Sequence, residues 1–159
     1  MSEPVAIVGA GGHAKAIVGL LRAHELPILG CFDGNPAKRG GNVLGAPILA
    51  LEELPETAAA VLGIGDNRAR KRLSAELRCR FRTLVHPRAF VDPSVTLGEG
   101  TVVFAGAVVQ PSAVLGAHVI VNTSASIDHD CVIGDFVHVA PGCHLAGNVT
   151  LEEGTFLGI

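Results

Sequence analysis

The chain has 159 residues, 48% of them hydrophobic, enough to bury a core in one large domain or two small ones. Its formal charge of −3, with no run of Lys or Arg, leaves no electrostatic footprint for nucleic acid or an anionic membrane. No basic segment precedes an apolar one at the start, no apolar run reaches membrane-spanning length, and the four cysteines lack C-x-x-C spacing, so a cytoplasmic protein with free buried thiols and no metal site is expected.

Val5 to Val8 is a short apolar run ending at Gly9-Ala10-Gly11-Gly12-His13, after which Ala16, Ile17, Leu20 and Leu21 recur at helical spacing: strand, glycine turn, helix. Ile28 to Phe32 reads as a second strand that ends in the turn-forming Asp33-Gly34-Asn35-Pro36. Val43 to Leu49 is a small excursion, and Ala58 to Ile64 a third strand leading into Gly65-Asp66-Asn67 and a polar helix to about Leu77. Leu84 and Val85 then lead to His86-Pro87. Residues 1–86 therefore read as an α/β, Rossmann-like β-α-β unit, and residues 87–159 as a second domain.

From Val91 the sequence changes period. Stepping by six, Val91, Leu97, Val103, Val109, Leu115, Val121, Ile127, Ile133, Val139, Leu145, Leu151 and Leu157 are all aliphatic, and the residue four places after each of those from Val91 to Leu151 is small or β-branched. Gly98, Gly116 and Gly134 recur every eighteen residues, so three flat segments make one coil, and stacked coils make an all-β triangular prism. The phase turns both aliphatic and small positions inward, including Cys131 and Cys143, and the corner glycines are expected to supply backbone angles that a β-carbon resists.

Two stretches carry chemistry. The glycine turn opens a helix N-terminus, which offers backbone N–H groups and a favourable dipole to a phosphate, and Asp33 and Gly65-Asp66-Asn67 sit at the ends of the next two strands. Three strand ends on one edge form the usual ligand position of an open α/β sheet, although a tight turn without a ligand has the same local sequence. The unit is too short for a full dinucleotide fold, which favours a mononucleotide or sugar nucleotide over NAD. In the prism, Asp128-His129-Asp130 puts a histidine at a non-inward position between two carboxylates. A carboxylate fixes the imidazole tautomer and suits a general base near neutral pH, but a solvated surface turn would read alike.

Gly9 to Lys15, the Asp33 loop, Ile64-Gly65-Asp66-Asn67, His86-Pro87 and the segment from Asn122 to Asn148 together resemble the hexapeptide-repeat sugar-nucleotide acetyltransferases. That resemblance implies a left-handed parallel β-helix, a hand that periodicity cannot supply and that runs against the usual right-handed crossover. It implies transfer of acetyl from acetyl-CoA to the amino group of a nucleotide-linked amino sugar, a UDP-sugar being favoured, in bacterial surface-glycan or glycoprotein sugar synthesis. Sialic acid O-acetyltransferases are among the relatives, so O-acetylation is the near alternative.

In the resemblance His129 falls on the catalytic base and Asp130 on the acidic residue that tunes it, commonly Glu. His138, Gly147 and Ile159 fall on acetyl-CoA contacts, and Gly11, Gly12, His13, Asp33, Gly34, Gly65 and Asn67 on the sugar-nucleotide site. It also implies a homotrimer with active sites between neighbouring prisms. The family continues for further coils beyond the position of Ile159, so a C-terminally truncated prism is expected. Readings from other classes are a non-catalytic sugar-nucleotide-binding protein and a γ-type zinc carbonic anhydrase. The latter needs a close H-x-x-x-x-H pair, whereas His118, His129, His138 and His144 stand eleven, nine and six residues apart.

Overall fold

A computed structural model describes residues 2–159, which divide into two units, one ending at Arg82 and the other running from Thr83 to Ile159. The first is built on a six-stranded sheet. Its elements in chain order are β1 (Val5–Val8), α1 (Gly12–Ala23), β2 (Ile28–Asp33), β3 (Asn42–Val43), β4 (Ala46–Ala50), β5 (Ala59–Leu62), α2 (Asn67–Glu76) and β6 (Arg80–Phe81). The strand order is β3-β4-β2-β1-β5-β6, parallel except for the β3–β4 hairpin. β1 is central and all four of its residues are buried, which is why it reads as an unbroken apolar run rather than an alternating one. α1 buries Ala14, Ile17, Val18, Leu20 and Leu21, one stripe at helical spacing. α2 is mostly polar, with Leu73 packed on the sheet's core and Arg70 its one fully buried residue, and Asp66 caps it by accepting a hydrogen bond from the Ala69 N–H at 2.7 Å.

The second unit is a three-sided parallel β-helix. Leu84–Val85, Val102–Val103, Ile120–Val121, His138–Val139 and Phe156–Leu157 stack as a five-stranded face, and two four-stranded faces complete the triangle. Strands eighteen residues apart pair with each other, for example Val102 with Ile120 and Ile120 with His138. The inward phase is as the sequence predicts. Val103, Val109, Val121, Ile127 and Val139, with Ala107, Ala113, Val119, Ala125, Cys131 and Val137 on the companion position, are wholly buried in one core. Thr101, also wholly buried, donates its hydroxyl to the Gly116 carbonyl at 2.8 Å and accepts the Val119 N–H at 3.0 Å, so the core holds a polar atom at no loss of hydrogen bonds. The four cysteines are buried and form no disulfide.

Two expectations are corrected. The β-helix begins before residue 87: Leu84–Val85 pairs with Val102–Val103, and Val85 and Ala89 pack on the prism core because they already obey the six-residue phase. The corner glycines also act for another reason. Gly98, Gly116 and Gly134 have no positive φ; a β-carbon at Gly134 would stand 2.6 Å from the Glu153 nitrogen of the next coil, and one at Gly116 would stand 2.8 Å from the Asp135 nitrogen. Close stacking of coils excludes the side chain. The left-handed backbone falls instead on a second six-residue series, Gly100, Gly106, Ser112, His118, Ser124, Asp130, Phe136, Gly142, Asn148 and Gly154. Six of these ten carry side chains, with Asp130 among them.

Candidate functional site

Each unit holds one half of the predicted chemistry. In the first, a cleft of about 540 Å³ opens beyond the C-terminal ends of β2, β1 and β5, the usual ligand position for such a sheet. Its lining includes Gly11, Gly12 and His13 at the start of α1, Asp33 and Gly34 after β2, and Gly65 after β5. Gly9 is held at φ +101°, where a β-carbon would also meet Ile64 at 2.7 Å. At Gly11 and Gly12, by contrast, a β-carbon would touch nothing within 4 Å, so the backbone of the helix start faces open space that a ligand can enter.

Asp33 joins two walls of this cleft. Its Oδ2 accepts hydrogen bonds from the Ala10 N–H and from Lys38 Nζ, each at 2.8 Å, and its Oδ1 accepts the Asn35 N–H at 2.9 Å. Burial pushes the carboxyl up, but the hydrogen bonds from Lys38, Asn35 and Ala10 and the Lys38 charge outweigh it and hold the group below the usual carboxylate range. The family resemblance puts Asp33 on the sugar-nucleotide site. The structure adds that it fastens the glycine turn to the β2 loop.

Six of the seven predicted substrate residues line the cleft; Asn67 does not, because it is the first residue of α2 and follows the Asp66 cap. The sequence reading missed Lys38, Arg72, Leu51 and Leu73, which also line it. Lys38 stands two residues after the Asp33-Gly34-Asn35-Pro36 turn and is legible there as the first cation beyond it. Leu51, Arg72 and Leu73 come from elements that only the fold brings over the cleft.

In the β-helix, His129 and Asp130 lie at the corner between the two four-stranded faces. The His129 backbone N–H donates to Asp128 Oδ1 at 2.8 Å, and its Nδ1 donates to Asp130 Oδ2 at 2.7 Å. With Nδ1 carrying the proton, Nε2 is the basic nitrogen, and the side chain is about half exposed. The hydrogen bond to Asp130 raises the imidazole pKa against a smaller opposing effect of burial, with the Asp128 and Asp130 charges adding to the rise. Gly147 occupies the equivalent place one coil on, and a β-carbon there would lie 2.6 Å from His129 Cε1 and Nε2, so its glycine makes room for the ring.

His138 is elsewhere on the triangle. It projects from the five-stranded face, 7% exposed, with its ring edge-on to Phe156 at 5.1 Å. Asn122 Oδ1 accepts the Thr123 N–H at 2.8 Å, which orients the amide so that Nδ2 donates to His138 Nε2 at 3.0 Å. The resemblance assigns His138 to the acetyl-CoA site of His129, yet one chain places the first on a face and the second at the opposite corner. Ile159 ends the described chain, fully exposed. Among the described residues no three of His, Cys, Asp and Glu converge as a metal-binding group, and no helix is long and apolar enough to cross a membrane.

Residues 4–77 match the PglD N-terminal domain family. Over 110 residues the chain is 39% identical to UDP-N-acetylbacillosamine N-acetyltransferase of Bacillus subtilis, a match covering 64% of this chain and 51% of that protein, so it spans about half the length of this curated relative. The acetyltransferase domain of PglB from Neisseria gonorrhoeae, solved in complex with acetyl coenzyme A, superposes with a TM-score of 0.83 at 37% identity, covering 95% of this chain and 77% of that one. A mutant of GDP-perosamine N-acetyl transferase from Caulobacter crescentus, solved with CoA and GDP-perosamine, superposes with a TM-score of 0.88 at 35% identity, covering 98% and 77%.

Proposed function

Because the chain belongs to the hexapeptide-repeat sugar-nucleotide acetyltransferases, we propose that it transfers acetyl from acetyl-CoA to the amino group of a nucleotide-linked amino sugar. The observation that carries this reading is the His129 Nδ1 to Asp130 Oδ2 bond of 2.7 Å, which leaves Nε2 as a base on an open corner. The nucleotide occupies the cleft of the first unit, with its phosphates over the Gly11–Gly12 backbone. The sugar amine attacks the thioester carbonyl while His129 Nε2 removes its proton. Collapse of the tetrahedral intermediate expels the CoA thiolate, and the imidazolium returns the proton to sulfur, so amide and thiol form as the thioester is consumed.

The placement of His138 gives a physical reason to adopt the homotrimer that the family resemblance implies. If both histidines serve one acetyl-CoA, a face and the opposite corner must come from neighbouring copies, with the active site between them. We place the reaction in the cytoplasm, where acetyl-CoA is supplied, within surface-glycan or glycoprotein sugar synthesis, and favour a UDP-sugar on the strength of the Bacillus relative. A turnover assay with acetyl-CoA and UDP-, GDP- and CMP-linked sugars tests the reading. CoA release that depends on an amino acceptor supports it, dependence on a hydroxyl acceptor points to O-acetylation, and binding without turnover leaves only a sugar-nucleotide-binding protein.

A further inference from the structure

We propose that Arg70 is a positioning residue of the nucleotide cleft, holding from behind the wall formed by Ile64 and Gly65. Its side chain is 1% exposed, and Nη1 donates to the Gly65 carbonyl at 2.9 Å and to the Ile64 carbonyl at 3.3 Å. Ile64 and Gly65 line the cleft, whereas Arg70 does not. Burial pushes the guanidinium pKa down to about 10, against the opposing pull of the Asp66 charge, so the chain sustains a desolvated cation here.

A leucine or methionine would fill that volume without the cost of burying charge. What hydrocarbon cannot do is turn two successive carbonyls toward one point. In a trans peptide the C=O and N–H point in opposite directions, so carbonyls drawn to Arg70 send the Gly65 and Asp66 N–H groups the other way, on the side where Gly65 lines the cleft. Asp66 secures the same loop by capping α2 through the Ala69 N–H, so the loop is tied to the helix at both ends. Packing keeps it close as well: a β-carbon at Gly63 would meet Ile7 at 2.7 Å. Arg70 thus sets the direction of donors in the wall without touching the ligand.

The inference rests on the cleft being a nucleotide site, and the test separates the two. UDP and GDP binding is measured by calorimetry for the wild-type chain, Arg70→Met and Arg70→Lys, alongside acetyl-CoA binding and amide exchange of Gly63 to Asp66. Arg70→Met should weaken nucleotide binding about tenfold, on the scale of a lost charge-assisted hydrogen bond, and speed exchange in the loop while acetyl-CoA affinity stays constant. Arg70→Lys should fall between, since an ammonium lacks the planar fork, and it keeps the comparison open if the methionine variant fails to fold. Wild-type loop exchange and nucleotide affinity in Arg70→Lys would overturn the proposal. A wild-type chain that binds no nucleotide would overturn the reading of the cleft, and loop exchange would still decide whether Arg70 braces it.

Discussion

A methyl group added at Gly147, one coil away from His129, would stand 2.6 Å from Cε1 and Nε2 of its imidazole. Gly147→Ala should therefore push the ring off Asp130 without disturbing the inward core. The expected result is a folded protein with an unchanged melting temperature, a His129 pKa lowered toward the ordinary imidazole value, and a matching loss of acetyl transfer. An NMR titration of His129 in the variant checks this, and an unmoved pKa would separate Gly147 from the base.

His129→Ala should lower kcat by about 10²–10⁴-fold, the usual contribution of a positioned general base, while nucleotide affinity stays near wild type because the proposed nucleotide cleft belongs to the other unit. The pH profile gives the finer test. Asp130 raises the His129 pKa, so the imidazolium persists to higher pH and the free base appears only as the pH rises through that raised value. Asp130→Asn should shift the acid limb of kcat to lower pH and reduce the plateau. By the same sign, any folding stabilisation from this pair is fully present below the ordinary histidine pKa and is lost as the pH rises through the folded one.

Asp33→Ala removes three hydrogen bonds that tie the glycine turn, the β2 loop and Lys38 together. Calorimetry should show nucleotide binding weakened at least several-fold, on the scale of lost charge-assisted bonds. Since the Asp33 pKa is lowered, its stabilisation is present above the ordinary carboxylate range and fades as the pH falls through the folded value. The variant should melt earlier than wild type at neutral pH, with the gap closing in acid. Equal affinities would remove Asp33 from the site.

Ile133→Asp should abolish soluble protein, because Ile133 is 1% exposed in the prism core and an unpartnered carboxylate there costs several kcal/mol. Asp135→Asn should be mild, since an amide oxygen can still accept the Ala117 N–H that Asp135 Oδ1 takes at 2.7 Å, whereas Asp135→Ala should cost about 1 kcal/mol. Soluble yield checks the first variant, and chemical denaturation of the two Asp135 variants gives their order. Equal losses would contradict the observed register.

Mixing experiments address assembly. If His129 and His138 act from neighbouring copies, subunits bearing His129→Ala and His138→Ala, each weak alone, should regain activity when unfolded and refolded together at limiting acetyl-CoA. No recovery over the separate variants would place both histidines in one chain's site.

The sequence alone determined the prism, because its inward positions repeat every six residues and each coil must present the same small or aliphatic side chain to one narrow core. It also located the glycine turn, Asp33 and the Asp128-His129-Asp130 turn, whose groups are neighbours in the chain or end adjacent parallel strands. The hand of the coil came from family resemblance, since a period has no chirality. Only the tertiary structure decided the rest. Gly116 and Gly134 are glycines because another coil lies against them, His129 has space because Gly147 stands eighteen residues further on, and Arg70 reads as an ordinary surface cation on a polar helix until α2 packs it behind the cleft. These are relations across stacked layers, and the chain acquires them only when folding brings distant residues within van der Waals reach.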